Sequence, residues 1–291
     1  MRKLLSLAGA CGCAGLLFVC ADAARAGGTS VNLDFNAPAG GVGGTGFEGV
    51  YSEVPSGYSL AGGRLTLNTL PGDTFGQYET DPDSAKNMFF SVIQPLAQTT
   101  VEARVRVSNL NTNFHGGGIW LGTDQDHYIR VGIFNNTFEG GVAGEGLREN
   151  QDRWTGNIPP GPGNDIVGRV IPGLAPSPQT TPIDAVLRIV RTGDTAQGFI
   201  SIDNGATFQQ VGGPGFTFDT IVTGPGQGPN GGPSIEDGMF RVGVYAVGGP
   251  EAAGAQAQFA FDSFSAVSTP EPASLGALAL GSLLALRRRA R

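Results

Sequence analysis

Side chains able to hold a sugar ring occur in two parts of the sequence. Trp120, His127, Tyr128 and Arg130 fall in segments that alternate apolar and polar residues, and Trp154 falls in a stretch rich in Gly, Pro and Asn. Aromatic rings stack on sugar C–H groups while polar neighbours fix the orientation. These five residues are the candidate ligand-binding set. The alternative for Trp120 is a place in the core, whereas a loop position favours exposure of Trp154.

Two aspartates suggest a calcium site. Asp34 lies at the first strand-like segment and Asp262 lies in the last one. Two carboxylates joined by loop carbonyls would suit a structural Ca²⁺ if these strands are neighbours. Other Asp pairs, at residues 81–83 and 124–126, are explained equally well by turn initiation through the Asp side chain.

No arrangement of residues typical of an enzyme stands out. Glycoside hydrolysis needs two carboxylates at a fixed separation, and nothing fixes the separation of Glu139, Glu145 and Glu149 in their glycine-rich stretch. The two histidines, His115 and His127, accompany no positioned nucleophile. No catalytic residue is therefore assigned.

The elements that must position these residues are β-strands. Glycine accounts for 48 residues and proline for 19, and turn clusters separate segments of period-two alternation. Residues 101–107 alternate most clearly, with four apolar positions on one face and three charged ones on the other. Further segments with strand patterns are 31–35, 65–67, 119–121, 128–134, 185–190, 199–202, 240–246 and 259–267. Many short strands without amphipathic helices favour a sandwich or barrel.

Turn residues and loops complete this outline. Asn204-Gly205 lies between two strand-like runs, and both residues tolerate the positive φ that a tight hairpin requires. The Gly- and Pro-rich segments 140–182 and 212–233 are expected to be long surface loops.

The N-terminus has the pattern of an export signal. Arg2 and Lys3 precede an apolar run from residue 4 to 19, and Ala24-Arg25-Ala26 forms a small-x-small cleavage site. The mature chain is expected to start at Gly27. All three cysteines lie within this leader, so the mature chain would contain no disulfide and no thiol.

The C-terminus has the pattern of a membrane segment. Pro270-Glu271-Pro272 precedes an apolar run from residue 273 to 286, which ends in Arg287, Arg288, Arg289 and Arg291. The run is shorter than the roughly 20 residues of a full span, but arginines can snorkel to the headgroups and hold that end in the cytoplasm. A C-terminal helix packed on the core is the alternative.

Removal of both ends makes the net charge of the chain more negative. Removing seven basic and two acidic residues from the 18 and 25 of the whole chain leaves 11 and 23, a net charge of −12. An acidic surface repels nucleic acid, so nucleic acid is not an expected partner. It is compatible with neutral glycans, with bound cations, or simply with solubility.

The tail resembles the PEP-CTERM sorting signal of Gram-negative bacteria in its Pro-Glu-Pro, apolar run and Arg cluster, in that order. The resemblance implies transient insertion into the inner membrane, processing by an exosortase, and localisation at the cell surface or in the biofilm matrix with extracellular polysaccharide. It divides the chain into a signal peptide (1–26), a β-sandwich domain (27–268) and a sorting segment (269–291).

The segment from Gly116 to Val267 resembles the concanavalin A-like jelly-roll domains of the laminin-G and glucanase superfamily. The similarity rests on the order of strand pairs, at residues 117–132, 187–205 and 241–264. It implies two packed antiparallel sheets and, often, sugar binding. The expected function is therefore a non-enzymatic, surface-sorted glycan-binding protein. A glycan-processing enzyme with an unrecognised site and a structural matrix protein without a specific ligand are the alternatives.

Overall fold

The structure is a computed structural model of the 291-residue chain. It describes residues 29–36, 40–72, 85–112, 114–124, 127–135, 147–155, 165–170, 179, 181–193, 195–212, 218–219, 239–248 and 255–270. The expected leader and the sorting residues from Glu271 onward lie outside these ranges. In the described ranges there is no helix long and apolar enough to cross a bilayer.

The described residues form sixteen strands and two 3-10 turns, Val42–Gly44 and Pro55–Gly57. The strands are β1 Ser30–Leu33, β2 Gly49–Tyr51, β3 Tyr58–Ala61, β4 Arg64–Asn68, β5 Met88–Ile93, β6 Gln98–Ser108, β7 His115–Asp124, β8 His127–Asn135, β9 Leu147–Thr155, β10 Asp165–Val170, β11 Ile183–Thr192, β12 Thr195–Ser201, β13 Gln209–Gln210, β14 Phe218–Asp219, β15 Phe240–Val247 and β16 Gln258–Thr269.

The strands pair antiparallel in two sheets. Over the described residues, the first sheet has nine strands in the order β13-β12-β11-β6-β16-β4-β3, with β1 also on β16 and β14 also on β12. The second has seven strands in the order β10-β9-β8-β7-β15-β5-β2. The expected all-β sandwich of two antiparallel sheets is confirmed, and it is consistent with the concanavalin A-like resemblance.

The core lies between the two sheets and follows the alternation in the sequence. In β6, the apolar residues at 101, 103, 105 and 107 are buried, while the charged residues between them face outward. Phe47 joins the layers, because its ring centroid lies 5.7 Å from that of Phe89 in the second sheet and 5.1 Å from that of Phe264 in the first. Burial of such a ring contributes on the order of 3 kcal/mol.

The predicted hairpin turn is present but belongs to a longer loop. Asn204 and Gly205 have φ of 64° and 88°, as expected. The strands β12 and β13, however, pair only as far as Ile200 with Gln209. The loop is organised by Asp203, whose carboxylate accepts hydrogen bonds from the Ser201 hydroxyl at 2.6 Å and the Thr207 backbone N–H at 2.9 Å. These bonds lower the pKa of Asp203 to about 2.

The two predicted long loops are wrong in part. Strands β9 and β10 lie within residues 140–182, and β14 lies within residues 212–233. Strand β5 was also not among the strands predicted from the sequence. Pairing with a neighbouring strand overrides weak local propensity in these segments, since strand propensity depends strongly on context.

Both ends of the domain emerge together. The backbone N–H of Ser268 donates to the carbonyl of Thr29 at 2.7 Å, and β1 pairs with the last part of β16, from Phe264 to Val267. Pro270 directly follows β16. The chain therefore enters and leaves the described sandwich at the same end.

A buried histidine lies at the opposite end of the described sandwich. His115 is 0% exposed, and its Nδ1 lies 3.0 Å from the hydroxyl of Thr69, which also accepts the backbone N–H of Ala257 at 2.9 Å. Its Nε2 is buried and has no hydrogen-bond partner among the described residues. Burial lowers the pKa of His115.

This histidine predicts acid sensitivity. Because the pKa of His115 is lower in the folded state than its unfolded value of about 6.5, the unfolded chain binds more protons below that pH. The free energy of unfolding should thus be at its full value above about pH 7 and fall as the pH drops below about 6.5. Denaturant titrations across this range measure the slope, and NMR titration of the imidazole measures the pKa directly.

The second histidine provides the control for that slope. His115→Gln should flatten the slope of stability against pH, whereas His127→Gln should retain it. A slope that survives His115→Gln and disappears in His127→Gln would contradict the assignment.

Candidate functional site: the outer face of the second sheet

The outer face of the second sheet carries aromatic rings where solvated polar groups are usual. Alternate residues of its strands point away from the sandwich core and form a second buried cluster. Its fully buried members are Ala85, Met88, Trp120, Tyr128, Phe134, Tyr245 and Val247. Tyr51 and Phe90, nearer the sheet edge, are only partly buried. We call the first group the closed part of the face, and Tyr51, Phe90 and the nearby Arg241 the open patch.

Glycines opposite the rings make this face possible. Phe134 pairs across strands with Gly116, Trp120 with Gly243, and Phe90 with both Gly243 and Gly49. A Cβ on Gly116 or Gly49 would overlap the ring of its partner. The rings therefore lie across the glycine backbone, an arrangement known from aromatic–glycine pairs in sheets.

Two of the predicted ligand-binding residues, Trp120 and Tyr128, belong to the closed part, and Arg130 packs against its rings. Trp120 is 0% exposed and its indole N–H donates to the carbonyl of Phe89 at 3.0 Å. Tyr128 and Arg130 are each 2% exposed. The burial of Trp120 matches the core alternative for this residue, and none of the three side chains presents a surface on which a sugar could stack.

Arg130 is held by aromatic rings. Its guanidinium carbon lies 4.8 Å from the ring centroid of Phe134 and 5.6 Å from that of Tyr245. Cation–π contacts of this kind are strengthened when water is excluded. Arg130 therefore stabilises the closed part of the face.

The two other predicted residues are placed by the backbone. Trp154 was expected in a loop, and that expectation is wrong: it lies in β9, directly opposite Tyr128. His127 begins β8 and is opposite Thr155. Directly opposite residues belong to one face of a sheet, so Trp154 occupies a register position on the aromatic face.

The open patch consists of half-buried groups. The rings of Tyr51 and Phe90 have centroids 4.8 Å apart and planes inclined by 30°. Tyr51 also lies 6.2 Å from Trp120, which joins the patch to the closed part. Glu48, exposed beside the patch, accepts the backbone N–H of Val92 at 3.1 Å. Two adjoining rings with polar neighbours are what sugar stacking requires.

Arg241 borders the patch. Its guanidinium carbon lies 5.7 Å from the Phe90 centroid, and one terminal nitrogen donates to the carbonyl of Thr123. Its Nε is buried and has no hydrogen-bond partner within the described residues. Arginine carries five N–H donors, so this side chain has donors to offer a ligand.

None of the three residues of the open patch was among the predicted ligand-binding residues. The signal was present for Phe90, because residues 88–93 are an apolar strand-like run with Phe90 at an alternate position to Phe89. Arg241 interrupts the apolar run of β15, and a charged residue inside such a strand indicates a position that is not fully buried.

The predicted calcium ligands have other roles. Their strands are neighbours, as expected. The Asp34 carboxylate, however, accepts the backbone N–H of Asn36 at 3.1 Å, and Asp262 forms an ion pair with Arg64. Among the described residues there is no group of three or more His, Cys, Asp or Glu side chains that could hold a metal. Each carboxylate of the Asp34–Asp262 pair thus has a partner within the chain, and the calcium site stays a prediction.

The carboxylates considered for catalysis are not brought together by the described structure. Glu139 and Glu145 lie outside the described residues. Glu149 lies in β9, opposite Ile133 by register. No catalytic pair is therefore assigned.

Comparisons with known proteins give a fold but no family. No protein-family model matches the sequence, and no curated protein does. Among solved structures, the GH43 BlXynB protein from Bacillus licheniformis is 16% identical with a TM-score of 0.55, covering 82% of this chain and 39% of that one. The xylan β-1,4-xylosidase from Bacillus halodurans C-125 is 17% identical with a TM-score of 0.50, covering 74% and 35%. The chain thus spans well under half of these proteins, and the likeness is one of fold.

The aromatic–glycine arrangement is testable at Gly49. In Gly49→Ala the new methyl group would overlap the Phe90 ring, so we expect the ring to move away from Tyr51. Nuclear Overhauser contacts between the two rings should weaken, and stability should fall by about 1 kcal/mol, as for mild overpacking.

Ser59→Ala, at an exposed position of the edge strand β3, is the matched control and should leave both quantities unchanged. Undiminished Tyr51–Phe90 contacts in Gly49→Ala would show that the glycine does not set the ring position.

Proposed function

We propose that this protein binds polysaccharide through the open patch. The observation that carries the proposal is the pair of half-buried rings, Tyr51 and Phe90, bordered by the guanidinium of Arg241. A sugar ring laid on the two aromatic faces would bury its C–H groups, and the arginine would donate to its oxygens.

The structural likenesses support this chemistry. One matched protein is a xylan β-1,4-xylosidase, and another, from Bacteroides ovatus, is described as xyloglucan PUL GH43B, with 14% identity, a TM-score of 0.51 and coverage of 82% of this chain and 39% of that one. We infer that this chain also binds a polysaccharide, and we do not infer that it hydrolyses one.

The closed part gives the patch a rigid support. Because Trp120 is fixed by its hydrogen bond to Phe89 and lies next to Tyr51, the tyrosine ring has a firm neighbour on one side. Preorganised rings lose little conformational entropy on binding, which favours affinity.

Binding should depend on both rings. With the chain starting at Gly27, in detergent, and the exopolysaccharide of the producing cells, we expect saturable binding that weakens about tenfold in Tyr51→Ala and in Phe90→Ala, about 1.4 kcal/mol each. Affinity electrophoresis or calorimetry measures the change. Phe208→Ala is the control, because this half-buried ring lies at the first sheet, where its centroid is 3.6 Å from the guanidinium carbon of Arg188.

Equal binding by all variants would exclude the open patch as the site. Absence of any binding, with an unchanged chain length of the polysaccharide, would exclude both the binding function and the enzyme alternative and would leave a structural matrix protein.

We also propose that the protein is exported and held at the membrane by its tail before an exosortase processes it. The support is the sequence pattern of the two ends, together with their common exit from the sandwich at Thr29 and Pro270. Only residues 270–272 separate the end of β16 from the apolar run, which is about 10 Å of extended chain. That end of the sandwich would then face the bilayer.

The absence of cysteines from the expected mature chain makes this orientation measurable. A fluorophore on Thr192→Cys, which lies in the row of Gln98 and Thr269, should be quenched by spin-labelled lipid in phosphatidylethanolamine–phosphatidylglycerol vesicles. A fluorophore on Gln258→Cys, at the other end of β16 and roughly 35 Å away, should not be quenched. Equal quenching, or failure of the chain to float with the vesicles, would overturn the proposal.

A further inference from the structure

The charge partners of Arg241 contrast with those of three arginines on the first sheet. On the outer face of the first sheet, Arg188 pairs with Glu102 at 2.6 Å. Arg106 pairs there with Asp184 at 3.5 Å, and Arg64 with Asp262. Arg241 has no carboxylate partner among the described residues. Its guanidinium contacts the Thr123 carbonyl and the face of Phe90.

Its surroundings leave the guanidinium uncovered by its strand neighbours. Arg241 is opposite Val92 on β5 and Gly122 on β7, and glycine has no side chain to place over it. Glu48, an exposed acid beside the patch, accepts the backbone N–H of Val92 and forms no ion pair with Arg241. The arginine is half-buried, so a cation is held beside the ring of Phe90 with no carboxylate partner among the residues that the structure describes.

A carboxylate is the ligand group that completes this arrangement. The planar guanidinium presents paired N–H donors that match two carboxylate oxygens, and such charge-assisted bonds are about twice as strong as neutral ones. The Nε–H is buried and has no acceptor among the described residues, and the terminal N–H donors that the Thr123 carbonyl does not take remain for such a pair. Neutral sugar hydroxyls would accept these hydrogen bonds but would leave the positive charge unbalanced.

We propose that Arg241 recognises the carboxylate of a uronic acid, so that the polysaccharide bound at the open patch is an acidic one. This inference rests on the proposed polysaccharide-binding function and names its ligand class. In this arrangement, Tyr51 and Phe90 hold the sugar ring and Arg241 selects the acidic residue.

The negative net charge of the expected mature chain opposes the binding of an acidic polysaccharide. At −12 the domain repels a polyanion at long range. That repulsion is screened beyond about 8 Å at physiological salt, while a direct, partly desolvated contact is screened much less. Selective contact at one arginine, rather than general attraction, is therefore how this protein would hold an acidic chain.

The test compares polygalacturonate with the same polymer after its carboxyl groups are reduced to alcohols, both in the presence of EDTA. The chain starting at Gly27, in detergent, should bind the acidic polymer at least about tenfold more tightly than the reduced one. Arg241→Gln should bring the two affinities together, and Arg241→Lys should retain part of the preference, because it keeps the charge but loses the planar fork.

Arg104→Gln is the matched control. Arg104 is exposed on the other sheet, where it contacts Asn204, so its loss should leave the preference intact. Equal affinity of the unaltered protein for the two polymers, no binding of the acidic polymer, or a preference that persists in Arg241→Gln would each overturn the inference. The proposed function fails separately, when Tyr51→Ala and Phe90→Ala leave binding of the native exopolysaccharide unchanged.

Discussion

The antiparallel pairing of β6 with β16 is the interaction on which the rest of this structure depends. Gln98 at the start of β6 lies opposite Thr269 at the end of β16, and the pairing runs along the whole of β6 with one bulge, between Phe261 and Ser263. The other edge of β16 is shared by β4 and β1. The last strand of the domain thus holds the middle of the first sheet together. Contacts between such distant parts of the sequence form slowly during folding. The first sheet therefore cannot be completed until β16 has paired with β6.

The second sheet is constrained on both of its faces. Its inner face packs on the core, and its outer face carries the aromatic cluster. When both faces of a sheet are covered, alternation of apolar and polar residues no longer separates buried from exposed positions. This is why the sequence places Trp120, Tyr128 and Arg130 in one sheet but does not predict whether their side chains are buried or exposed. The glycines that accommodate the rings are equally ambiguous in a sequence with 48 of them.

The extent of what the sequence predicts follows from the same physics. Strand β6 was predicted because one of its faces is solvated, so its charges alternate with its apolar residues. The turn at Asn204 and Gly205 was predicted because positive φ restricts residue type. Strands β9 and β10 were not, since their stability comes from pairing with β8 and with each other. For Asp34 and Asp262, adjacency of strands was foreseen, but the turn at Asn36 and the arginine at 64 were not.

The position of the open patch is a consequence of the sheet edge. Strand β2, the last strand on this side of the sheet, has only three residues, and no described strand pairs beyond it. Tyr51 lies on this edge strand and Phe90 on the next one, β5, whereas Trp120 and Tyr245 lie on strands nearer the middle of the sheet. The same aromatic face is thus buried at its centre, where it stabilises the sheet, and accessible at its margin. The proposed binding would use only this margin, where the rings of Tyr51 and Phe90, supported by the buried centre, lie beside Arg241.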